Sequence, residues 1–94
     1  MAVAIVMEFD GTLDQYDEVV AKMGFSPGGR GAPGGLFHWV TESDGKIRIT
    51  DVWESKEQFD AFAEEKIGPL TAEAGIPGPP EMTTYDVHNY LTAG

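Results

Sequence analysis

The dipeptide Asp44-Gly45 separates two strand-like runs, residues 36–43 and 46–54. A two-residue Asp-Gly connection between such runs is a strong β-hairpin signal, and its length fixes the pairing on either side. Ser43 then lies opposite Lys46, and paired residue numbers sum to 89. This register sets His38 against Asp51, Trp39 against Thr50, Val40 against Ile49, Phe37 against Val52 and Leu36 against Trp53. Side chains alternate along a strand. One face of the hairpin therefore carries Leu36, His38, Val40, Ile49, Asp51 and Trp53, and the other carries Phe37, Trp39, Thr50 and Val52.

The flanking segments supply the rest of a sheet and two helices. Residues 2–9 are apolar with β-branched content and read as a strand. Thr12 and Gln15 have capping-box spacing, Leu13, Tyr16, Val19, Val20 and Met23 follow a helical stripe, and Gly24 supplies a stop, predicting a helix over 12–24. Residues 25–35 hold five glycines and two prolines and read as a loop, either an entropy-rich connection or a lid, with an anion site around Arg30 as the alternative. The loop lacks the Lys-Ser/Thr of a phosphate-cradling motif. Ser55 and Gln58 form a second capping box, and the helix that follows shows Phe59, Phe62, Ala63 and Leu70 on one face. Gly68-Pro69 should kink it and Gly75 end it, while residues 82–91 read as a last strand.

The order β-α-β-β-α-β predicts a single α+β domain over 1–94 with the ferredoxin-like fold. Its antiparallel sheet has strand order 4-1-3-2, with both helices on one face. The more apolar alternating set should pack under the helices, which places Ile5, Met7, Ile49, Val87 and the His38/Asp51 pair there. The opposite face, with Trp39, Phe37, Thr50, His88 and Tyr90, is left bare. A second copy of the chain is the expected cover, so Trp39, Phe37 and His88 are candidate interface residues of a homodimer.

Charge narrows the partners. Six basic against sixteen acidic residues give a net charge of −10, which disfavours nucleic acid and anionic membrane surfaces. Cysteine is absent, so thiolate chemistry and disulfides are excluded. No run is long enough for a spanning helix and the N-terminus lacks a basic signal region, so a soluble cytoplasmic domain is expected.

His38-Trp39-Val40, Asp44-Gly45 and Asp51-Val52-Trp53-Glu54-Ser55, with Phe59 and Phe62 following, resemble the dimeric α+β barrel superfamily. More narrowly, they are similar to small proteins near the antibiotic-biosynthesis-monooxygenase domain. The resemblance spans roughly residues 2–91. It implies two sheets packed back to back in a dimer and a pocket between sheet and helices. Its members include cofactor-independent oxygenases of aromatic polyketides, haem-degrading enzymes and isomerases. The haem-degrading members use a histidine on the second helix, and residues 55–74 contain none.

Of the candidate groups, His38 with Asp51 stands first. A carboxylate beside an imidazole holds its tautomer, as a general base requires; the pair equally satisfies itself as a cross-strand contact that only fixes the hairpin. Trp53, Tyr16, Phe62 and Tyr85 are candidates to line a pocket for a small apolar or aromatic molecule. Within one subunit His88 is about three strand spacings, roughly 14 Å, from His38, too far to share a metal. The acidic residues around 10–18 lack a calcium-loop spacing and read as a solvated helix face. No metal site and no cofactor are expected. The two functions that follow are a cofactor-independent monooxygenase or isomerase and a non-catalytic ligand-binding or accessory protein.

Overall fold

The computed structural model describes residues 1–92. Strand β1 (Val3–Phe9) leads into helix α1 (Leu13–Met23), and the hairpin β2 (Gly35–Ser43) and β3 (Lys46–Trp53) follows. Helix α2 (Lys56–Phe62), a π-helical turn (Ala63–Ile67) and helix α3 (Gly68–Glu73) run into β4 (Glu81–Asp86). The antiparallel sheet has the order β2-β3-β1-β4, the expected ferredoxin-like arrangement. No helix among the described residues is long and apolar enough to cross a membrane.

Both helix starts are capped, the first by a complete capping box and the second by its N-cap half alone, since the Gln58 side chain takes the Ser55 hydroxyl and not the Ser55 amide. The Thr12 hydroxyl accepts from the Gln15 amide while the Gln15 side chain accepts from the Thr12 amide. The Ser55 hydroxyl accepts from the Gln58 amide. Gly24 closes α1 at φ +86°, a left-handed conformation that costs glycine nothing. Pro69 lacks an N–H, and its ring excludes a regular α-turn against the carbonyl four residues before it. The chain answers one turn earlier with the π-helical stretch, whose wider turn ends in a bond from the Gly68 amide to the Ala63 carbonyl. The expected kink is thus a widened turn, braced by the Thr71 hydroxyl donating to the Ile67 carbonyl.

Alternation along β1 and β3 builds the core. Val3, Ile5, Met7 and Phe9 face the helices with Ile47, Ile49 and Trp53, and are joined by Phe59 from α2. Burial of this apolar set is the main force holding helices to sheet, at about 25 cal/mol per Å² removed from water.

Three strand assignments differ from expectation. The hairpin keeps its register from Ser43↔Lys46 to Phe37↔Val52, but a bulge at Leu36 brings Gly35, not Leu36, opposite Trp53. Strand β4 ends at Asp86, because β1 begins at Val3, opposite Asp86, and offers one further bond, from the Val87 amide to the Ala2 carbonyl. Val87, His88, Tyr90 and Leu91 are therefore outside the sheet, and His88 is not a strand residue on the bare face. Finally, Tyr85 pairs opposite Ala4, placing it with Val6 on the outer face and away from the helices. This is the opposite phase to the one expected from the alternation of the last strand, whose apolar content is too low to choose a face.

Candidate active site

Register and helix period bring four side chains into one hydrogen-bonded line. His38 on β2 and Asp51 on β3 are cross-strand neighbours on the helix side, with Nδ1 and Oδ1 2.6 Å apart. The other carboxylate oxygen, Oδ2, accepts from the Trp53 indole N–H at 3.1 Å. Two positions along one strand share a face, so Asp51 and Trp53 meet without any special device. From across the interior, Tyr16 on α1 sets its hydroxyl 2.5 Å from His38 Nε2, the two rings lying nearly parallel.

One donor in the line has a fixed direction. Indole N–H only donates, and an ionised carboxylate only accepts. Asp51 thus takes one proton contact from Trp53 and one from His38 Nδ1–H. In the neutral imidazole that leaves Nε2 with its lone pair, and the Tyr16 hydroxyl donates to it. Asp51 is buried, its side chain 5% exposed, whereas that of His38 is 45% exposed. The carboxylate is closed off from water and the imidazole is open to it. Burial pushes the Tyr16 phenol above its ordinary value of 10.0, and the negative charges of Asp51 and Asp17 push it the same way. Tyr16 accordingly holds its proton at neutral pH.

These groups sit in the wall of a cavity of about 430 Å³. Tyr16, His38, Asp51, Trp53 and Phe62 all line it, together with apolar residues of β1, β3 and α1. The volume lies within the range of small-molecule sites, and the wall is mostly apolar with a few convergent polar groups, as such sites are. Trp53 is clamped between Phe59 and Phe62, at centroid distances of 5.8 and 5.2 Å, which holds its N–H on Asp51. The glycine-rich segment forms another wall through Gly28, Gly29, Arg30, Gly31 and Ala32.

Of the residues expected to meet a ligand, Tyr16, Trp53 and Phe62 line the cavity with His38 and Asp51. Tyr85 does not: it is exposed on the outer face. Trp39 stands on that outer face, half-exposed, and Phe37 meets Tyr90 edge-on there at 5.7 Å between centroids. The bond from Tyr16 to His38 is an addition that the sequence reading does not contain. The signal for it is the α1 stripe itself, which points Tyr16 at the same sheet face as His38. Among the described residues no group of three or more His, Asp or Glu side chains is placed to hold a metal ion.

No protein-family model and no curated protein matches the chain. Solved structures do. A Chloroflexus aurantiacus J-10-fl protein assigned to antibiotic biosynthesis monooxygenases is 21% identical, with a TM-score of 0.67 and 100% of both chains covered. The fold is that of the antibiotic biosynthesis monooxygenase structures. Rv0793 from Mycobacterium tuberculosis matches over 98% of this chain and 100% of its own, with TM-score 0.68 and 17% identity. SnoaB, a cofactor-independent oxygenase from Streptomyces nogalater, matches over 96% of each chain, with TM-score 0.65 and 18% identity.

Proposed function

We propose that the chain is a cofactor-independent monooxygenase acting on an aromatic molecule with an acidic ring C–H₂ held between sheet and helices, and that it works as a homodimer. The observation that carries the catalytic reading is the line Trp53–Asp51–His38–Tyr16, ending at an open cavity. A merely structural His–Asp pair needs neither a tyrosine on its free nitrogen nor an opening beside it.

The chemistry asked of the protein is proton transfer. A substrate with an acidic ring C–H₂, activated by a neighbouring carbonyl or phenol, loses a proton to the Tyr16 oxygen as Tyr16 passes its own to His38 Nε2. The imidazolium that results is held by the buried Asp51 carboxylate. The substrate carbanion is electron-rich enough to reduce dioxygen, and the new C–O bond gives a hydroperoxide after protonation. Loss of the remaining C–H proton and cleavage of the O–O bond leave a carbonyl and one water. The balance is R₂CH₂ + O₂ → R₂CO + H₂O. Positioned acid–base groups typically contribute about 10²–10⁴-fold in rate.

The test is dioxygen uptake with anthrone as probe. Wild type should consume dioxygen well above the buffer rate and form anthraquinone, and His38→Gln should lose about 100-fold or more. A His38→Gln protein that still turns over at the wild-type rate would sink the catalytic reading. Tight binding of anthrone by both proteins without turnover would favour the ligand-binding module instead.

A further inference from the structure

The chain has six lysines and arginines, and four of them are held in ion pairs among the described residues. Lys22 pairs with Glu18 and Glu73, Lys46 with Asp10, Arg48 with Glu8 and Lys56 with Asp60. Among the described residues, two of the six basic side chains have no carboxylate within ion-pair distance, Arg30 and Lys66. Arg30 is the one that lines the cavity. Among the described residues it is also the only lysine or arginine in a wall whose other formal charge is Asp51, already held by His38 and Trp53.

We infer that Arg30 is a specificity residue, and that the molecule the cavity takes carries an ionised carboxylate which Arg30 binds. This deepens the reading of the cavity as the ligand site and rests on it. A net charge of −10 repels anions from the surface as a whole, so an anionic ligand needs a local positive group at its place of entry. Guanidinium suits that role, because it stays charged at any working pH and presents two parallel N–H groups to one carboxylate. The neighbours Gly28, Gly29 and Gly31 add no side chain that would stand between the guanidinium and a ligand. Asp51 sets the opposite preference at the other polar group of the wall. A carboxylate is repelled from the Asp51 end and drawn to Arg30, and this orients the neutral, oxidisable ring toward Tyr16 and His38. The ligand class is therefore an aromatic acid, with its acid group set apart from its reacting carbon.

The experiment compares two probes of nearly equal shape, 2-naphthoate and 2-naphthamide, by equilibrium dialysis at low salt against wild type and Arg30→Gln. Arg30 is exposed and makes no ion pair, so the variant folds as wild type does. Wild type should bind naphthoate about tenfold more tightly than naphthamide. Arg30→Gln should remove that preference, and raising the salt should weaken the naphthoate complex of wild type far more than its naphthamide complex. Equal affinities of wild type for the two probes, or a preference that survives in Arg30→Gln, overturns the assignment of Arg30 while leaving the cavity as a ligand site. Binding of neither probe by wild type overturns the cavity reading and this assignment together.

Discussion

At the residue scale, the direction of each hydrogen bond decides what the site can do. Asn at position 51 offers one acceptor and one donor where Asp offers two acceptors. The Trp53 N–H cannot reverse, so the amide oxygen must serve it and the amide N–H₂ must face His38. His38 then turns to the other tautomer, with Nε2 protonated and no lone pair for Tyr16. Asp51→Asn should therefore fold with little change in melting temperature yet carry the wrong tautomer, which ¹⁵N chemical shifts of the imidazole would read out. His38→Ala, by contrast, strips one partner from a buried carboxylate and should cost about 1–3 kcal/mol in a thermal or chemical melt. Tyr16 adds a pH dependence. Its pKa is raised on folding, so its contribution is complete below pH 10.0 and is lost as pH rises through the higher folded value. Denaturation series between about pH 9 and 11 should show stability falling more steeply in wild type than in Tyr16→Phe.

At the scale of elements, local signals of different strength explain what was legible in the chain and what was not. The Asp-Gly turn and both N-caps are specified by two to four adjacent residues, and each formed where its residues stood. His38 and Asp51 can be paired from the sequence because the turn alone sets their register. The Leu36 bulge cannot, since it arises where the glycine-rich segment enters the strand with little side-chain packing to hold it in step. The end of β4 depends on where β1 begins, a non-local fact that no stretch of 82–91 contains. Tyr16 is legible as a residue facing the sheet, but its partner depends on how far α1 reaches over β2. Two measurements address elements directly. Ser55→Ala should lower stability by about 1 kcal/mol through loss of the α2 cap. Amides of residues 26–34 should exchange faster than those of β1, since among the described residues their only backbone bonds beyond the strand are the short turns Ser26–Gly29 and Ala32–Gly35 and the contact of Gly34 with Glu54. Exchange as slow as in β1 would show the segment to be a fixed wall rather than a lid.

At the scale of the whole molecule, the layer of helices covers one side of the sheet and leaves the other to Trp39, Val52, Val6 and Tyr85. Trp39 and Tyr85 are 53% and 57% exposed on that side, large aromatic areas for a chain of this size to leave in water. The chain beyond β4 covers part of it through Tyr90 on Phe37. A homodimer across this face should sediment at twice the mass of 10.2 kDa at micromolar concentration, and Trp39→Asp should sediment as a monomer by burying an unpaired charge at the contact. Because the cavity lies on the opposite side of the sheet, that monomer should keep its ligand affinity. Turnover is the property in which fold, cavity and proton path must all cooperate, and the rate of dioxygen consumption by Asp51→Asn relative to wild type measures it. With anthrone in ¹⁸O₂, wild type should place one labelled oxygen in the product, and the equally well-folded Asp51→Asn should be slower by about 100-fold or more. Equal rates in the two proteins would contradict a catalytic role for the line from Trp53 to Tyr16.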